Sequence, residues 1–139
     1  MQTFDRVVIL GALGKDPELR FLPSGDPILT MSLAASNSWK SKDSDEWKTI
    51  TRWYRVTVFG KQAERLNESL KKGDCAYVEG RLQCDENGGP RIWTDKEGNS
   101  RASFEVKADV VRVTGKKNGK SEEHAETAAK PDQEDSGDY

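Results

Sequence analysis

The chain has 139 residues, 34% hydrophobic and 33% charged, with a formal net charge of -2, a pI near 5.5 and a mean hydropathy of -0.84. That length suits one domain, because two would each be too small for a good core, and the low apolar fraction predicts that part of the chain stays unfolded. Mild acidity on its own argues against a nucleic-acid binder, which usually carries a basic balance. The charge is unevenly placed, however. Residues 1–117 sum to +3 and residues 118–139 to -5, so a weakly basic body holding all four Trp precedes an acidic tail.

Arg6 to Leu13 is a short apolar run that reads as a buried strand, ended by the bend Gly14-Lys15-Asp16-Pro17. Glu18 to Leu22 continues it briefly, before the turn residues Pro23 to Pro27. Ile28 to Ser36 alternates as a half-buried strand, with Leu29, Met31, Leu33 and Ala35 on one face. The polar stretch 37–49, containing Trp39 and Trp47, is expected to be a loop or flexible hairpin. Ile50 to Gly60 carries two unlike faces: Ile50, Tyr54, Val56 and Val58 for the core, and Thr51, Trp53, Arg55, Thr57 and Phe59 on the other side. Lys61 to Lys72 places Ala63, Leu66 and Leu70 at helical spacing and stops at Gly73. Cys75 to Leu82 is a strand, Arg91 to Thr94 a brief one between two turns, and Ala102 to Thr114 the last. From Gly115 onward periodicity is lost.

This order predicts an all-β fold: a five-stranded OB-fold barrel with one helix between strands 3 and 4. The barrel domain spans 1–117 and a disordered acidic C-terminal tail spans 118–139, where too little can be buried to offset chain entropy.

The composition is poor in catalytic parts. The only histidine, His124, lies in the tail, which excludes a Ser-His-Asp or Cys-His arrangement in the body. Cys75 and Cys84 form no CxxC pair, so no metal site and no cofactor are expected. Both read as small buried thiols of one strand, consistent with a reducing compartment. Gly119-Lys120-Ser121 follows no strand and lacks the earlier glycine of a phosphate loop, and Asp45/Glu46 and Asp85/Glu86 are solvated turn charges. An N-terminus without a charged n-region and a longest apolar run of Val7 to Leu10 predict a cytoplasmic protein with no membrane segment.

The second face of 50–60 needs a purpose, because two aromatics on the solvent side of a strand expose area that soluble monomers avoid. Trp53 and Phe59 either stack nucleic-acid bases, with Arg55 on phosphate, or pack under a loop or another subunit. Trp39 and Trp93 also have cations beside them, Lys40 and Lys42, and Arg91 and Lys96. Trp47 fits no such pattern and reads as loop packing.

The chain resembles the bacterial single-stranded DNA-binding protein family over nearly all of residues 6–114. The likeness is carried by Arg6 to Arg20 (RVVILGALGKDPELR), Ser36-Asn37-Ser38-Trp39, Trp53-Tyr54-Arg55-Val56, Phe59-Gly60-Lys61, Leu70-Lys71-Lys72-Gly73, Tyr77 to Leu82 and Trp93-Thr94-Asp95. The resemblance implies an OB-fold protein that binds single-stranded DNA without sequence preference and serves replication, recombination and repair in the nucleoid. It implies assembly as a homotetramer, with a dimeric primosomal relative as the alternative. It also places stacking aromatics at Trp39, Trp53, Phe59 and Trp93, and groove cations at Arg6, Lys42, Arg55, Lys61, Lys71 and Lys72. Extra residues between Leu82 and Trp93 lengthen one loop. Family tails close an acidic run on Ile-Pro-Phe and recruit replication and repair proteins there. This sequence has Asp135-Ser136-Gly137-Asp138-Tyr139, which makes Asp135, Asp138 and Tyr139 the matching tip.

Overall fold

Eight strands and one helix make up the computed structural model, which describes residues 1–117. They are β1 (Val7–Leu13), β2 (Glu18–Phe21), β3 (Pro27–Lys40), β4 (Trp47–Phe59), α1 (Lys61–Ser69), β5 (Cys75–Leu82), β6 (Ile92–Thr94), β7 (Ser100–Ala102) and β8 (Phe104–Gly115). The expected disordered tail and its tip lie outside the described residues.

The main sheet runs β1-β5-β8-β4-β3-β2 and closes through a further pairing of β1 with β3. Five strands, β1, β3, β4, β5 and β8, therefore form a closed barrel. Closure is antiparallel at Ala12↔Ala34 and Leu13↔Leu33, while β8 and β4 pair in parallel from Tyr54↔Phe104 to Thr57↔Lys107. β2 lies on the same edge of β3 as the end of β1, with Glu18↔Thr30 to Phe21↔Pro27. It continues the first strand past the Gly14–Pro17 bend, as the sequence suggests. The helix sits between β4 and β5, which are the third and fourth strands of the closed ring in chain order.

Alternation explains which side is core. Leu29, Met31 and Leu33 of β3, Val56 and Val58 of β4, Val78 of β5 and Val106 of β8 are all fully buried. One side chain in two points into the barrel, as a period of two requires. α1 lies against β2, β3 and β4 and adds Ala63 and Leu66. Two glycines permit the close approaches that closure needs: a Cβ on Gly11 would come 2.7 Å from the Ala34 carbonyl oxygen, and one on Gly80 would run into the Lys107 backbone. Gly80 sits at the register shift between β5 and β8, where a bulge bends the barrel wall.

Four expectations are corrected. Of the two alternatives for 37–49 the hairpin holds and the loop does not, with more strand than expected, because β3 runs to Lys40 and β4 starts at Trp47, leaving only 41–46 as the turn. Beyond Ala34 in β3 and before Tyr54 in β4 these strands pair only with each other, so 35–40 and 47–53 form a two-stranded ribbon projecting from the barrel. Ile50 lies on that ribbon and is exposed rather than core, since among the described residues no further strand pairs with the ribbon there. The helix ends at Ser69, not Lys72. Leu70 turns extended and becomes fully buried, and Gly73 at φ 91 reverses the chain. Cys84 falls past the end of β5 and is exposed, while Cys75 is half-buried, with burial pushing its thiol pKa up and the neighbouring Asp74 adding to it.

Candidate nucleic-acid interface

The outer surface of β8, β4 and β3 gathers the predicted aromatic face. In register order, Glu105 lies opposite Arg55, Lys107 opposite Thr57, and Ala34 opposite Trp53. Trp53 is 54% exposed and Phe59 41%. The Trp53 indole reaches across β3 to the β1–β2 bend, where a Cβ on Gly14 would collide with the far edge of its ring. Small residues at Ala34 and Gly14 thus let the ring settle against the barrel with much of it still open to solvent. Lys107 sets its ammonium 4.9 Å from the centre of the Phe59 ring, a cation–π contact.

A cleft of about 360 Å³ separates this face from the β6–β7 hairpin, lined by Arg55, Arg91, Ile92, Trp93, Ser103 and Glu105. Glu105 organises it. Arg91 donates from Nε and Nη2 to its two carboxylate oxygens, each at 2.7 Å, and Arg55 Nε lies 3.9 Å away. This hydrogen-bonded pairing with Glu105 raises the Arg91 pKa above its ordinary value. Trp93, 51% exposed, donates from its indole nitrogen to Ser103 at 3.4 Å. The hairpin owes its turn to Asp95, whose carboxylate accepts the Asn99 and Glu97 backbone N–H groups and pairs with Arg101. Those hydrogen bonds, led by Asn99, hold the Asp95 carboxyl below the usual value.

The other predicted residues are dispersed. Lys61 opens α1 directly after Phe59-Gly60. Lys71 and Lys72 sit in the α1–β5 turn, which is tied to the bend beneath Trp53. Gly73 N donates to the Leu13 carbonyl at 2.9 Å and Lys72 N to Asp16 at 2.7 Å. Buried Asp74 anchors the same turn, accepting the backbone N–H groups of Lys71 and Lys117 and the Lys116 ammonium. Burial pushes its pKa up, but these donors outweigh it and hold the carboxyl below its ordinary value. Trp39 and Lys42 belong to the ribbon and its turn. The register puts Trp39 on the ribbon face opposite Trp53, beside Lys48 and Ile50. Arg6 is held elsewhere, by Asp109 at 2.9 Å and Glu79 at 3.5 Å, and Glu79 also accepts the Tyr77 hydroxyl.

A family model described as the single-strand binding protein family matches residues 4–114. The chain belongs to that family. Single-stranded DNA-binding protein 1 of Xylella fastidiosa is 41% identical over 117 residues, covering 84% of this chain and 82% of that protein. Among solved structures, a deletion mutant of the Thermus aquaticus single-stranded DNA-binding protein is similar at 28% identity and TM-score 0.62, covering 84% of this chain and 52% of that one. A Plasmodium falciparum SSB in complex with ssDNA shares the fold at TM-score 0.65 and 24% identity, covering 82% and 97%. So does a small single-stranded DNA-binding protein from Streptomyces coelicolor, at TM-score 0.64 and 23% identity, covering 79% and 94%. The barrel is thus the OB-fold of this family.

Sequence reasoning missed Lys107, Glu105 and Trp47. Lys107 and Glu105 alternate with the core residues of β8, a signal that was present in the outward positions of that strand. Trp47 shares odd parity with Trp53 and Phe59, which emerges only once β4 is known to begin at Trp47.

Proposed function

We propose that this protein binds single-stranded DNA without sequence preference and protects it during replication, recombination and repair, with no covalent step. The observation that carries the reading is the outer face of β4, where exposed Trp53 and Phe59 flank Arg55 on a barrel wall that buries neither ring. Trp93 faces the same cleft as Arg55. Every base presents a π-face, so stacking on such platforms is indifferent to sequence and contributes about 1–3 kcal/mol per base. Arg55, Lys61, Lys71, Lys72 and Lys107 follow the phosphates, and Trp39, on the reverse face of the ribbon, with Lys42 in its turn offers a separate contact. Arg6, whose guanidinium rests on Asp109 and Glu79 in the unbound chain, is kept among the groove cations.

We assign a homotetramer. Among the described residues, 7–11 of β1 pair only with β5, which leaves their other edge open, and Val8 and Leu10 stand exposed on the outward face beside it. A free strand edge with outward apolar side chains suits pairing with a second copy. The acidic residues Asp135 and Asp138 with terminal Tyr139 are assigned to recruiting replication and repair proteins.

Replacing Trp53 and Phe59 together by Ala tests the reading. Affinity for oligo-dT falls by at least tenfold while light scattering reports an unchanged mass. Dissociation of the oligomer with DNA affinity preserved would assign these rings to subunit packing instead.

A further inference from the structure

We propose that Trp47 is an additional stacking residue, at the outer end of a DNA track that runs from Phe59 past Trp53 and along the ribbon. The inference rests on the single-stranded DNA reading above and extends its site. Phe59, Trp53 and Trp47 stand at six-residue intervals in β4 and share one face of the β3–β4 ladder, opposite Ile28, Ala34 and Lys40 respectively. Successive rings are therefore spaced about 20 Å apart, at roughly 3.3 Å per residue. Trp47 is 51% exposed, matching Trp53, and projects from a ribbon that no other described strand joins.

The floor between Trp53 and Trp47 also suits a nucleic-acid strand. On that face it consists of two cross-strand hydroxyl pairs, Ser36 with Thr51 at 2.8 Å and Ser38 with Thr49 at 2.7 Å. These are short, uncharged side chains that donate and accept hydrogen bonds, lying between the two indoles on one face, with Ser38 buried and Ser36, Thr49 and Thr51 exposed. The ribbon end is electrically balanced in number, with Lys40, Lys42 and Lys48 against Asp43, Asp45 and Glu46, and Lys40 pairs with Asp45 at 3.4 Å. Attraction at Trp47 thus comes from stacking and not from phosphate neutralisation. That difference supplies the test.

Trp47→Ala and Trp47→Phe in the full chain are titrated with poly-dT, with a long oligo-dT and with one short enough to reach only Phe59 and Trp53. The alanine variant occludes a few nucleotides fewer per subunit and binds the long oligomer roughly five- to hundredfold more weakly. Its affinity for the short oligomer and its salt slope stay at the wild-type values, and Trp47→Phe keeps most of the long-oligomer affinity. Unchanged site size and affinity in Trp47→Ala, with wild type binding normally, overturn this inference alone. A fall in assembly mass by light scattering also overturns it, by placing Trp47 between subunits. Failure of the wild-type protein to bind poly-dT removes the underlying reading as well.

Discussion

Gly14 and Trp53 show how one missing Cβ shapes a binding face. The indole settles in space that any other residue at 14 would fill, while its outer side stays open. Gly14→Val therefore displaces the ring and removes about one stacking contact, or 1–3 kcal/mol of oligo-dT affinity, measured by fluorescence titration. Retained affinity would mean that the ring finds an equivalent seat. Glu105 acts oppositely on the neighbouring cations, holding Arg91 firmly and Arg55 loosely. Glu105→Gln preserves shape but releases both guanidinium groups to phosphate. The plot of log K against log salt then steepens by about 0.7 per arginine freed, and an unchanged slope would show that Glu105 does not restrain them. Outward residues were legible wherever a strand had a core behind it. Trp53, Arg55 and Phe59 stood out because Val56 and Val58 already occupied the inner positions.

The elements explain where that legibility ended. Residues 37–49 read only as a loop or flexible hairpin, without strand bounds, because a two-stranded ribbon with solvent on both faces has no apolar side, so hydrophobic alternation has nothing to report. Trp47 and the true setting of Trp39 were hidden for that reason. The helix end was hidden because Leu70 keeps the 3.6-residue spacing while leaving the helix to plug the core. The turn that follows is held by Asp74, whose carboxylate binds two backbone N–H groups and one ammonium. With its folded pKa depressed, Asp74 contributes stability above its ordinary value of about 3.9, and that stability drains away as the pH falls from there through the lower folded pKa. Asp74→Ala costs about 2–3 kcal/mol near neutral pH, by denaturant unfolding, and flattens the acid limb of the stability curve. An acid limb identical to wild type would exclude Asp74 as its source.

For the whole molecule, a net charge of -2 conceals a body at +3 and 22 further residues at -5. A surplus of three is small for binding a polyanion, so the arrangement of cations around the aromatic face matters more than their number. Assembly raises that surplus by bringing bodies together, through β1 in this account. Leu10→Lys on the exposed outward face of β1 lowers the mass in light scattering, and an unchanged tetramer would place the interface elsewhere. The barrel order, its helix and its family were readable from sequence, because each barrel strand buries one face. The ribbon and the open edge of β1 were not, since neither leaves a mark in the hydrophobic alternation that reports the core. The central claim is that the outer face of β4 stacks single-stranded DNA. Titration with poly-dT while following tryptophan fluorescence tests it most directly. The account predicts strong, saturable quenching whose affinity falls steeply with added salt. Unquenched fluorescence at low salt under excess poly-dT would contradict it.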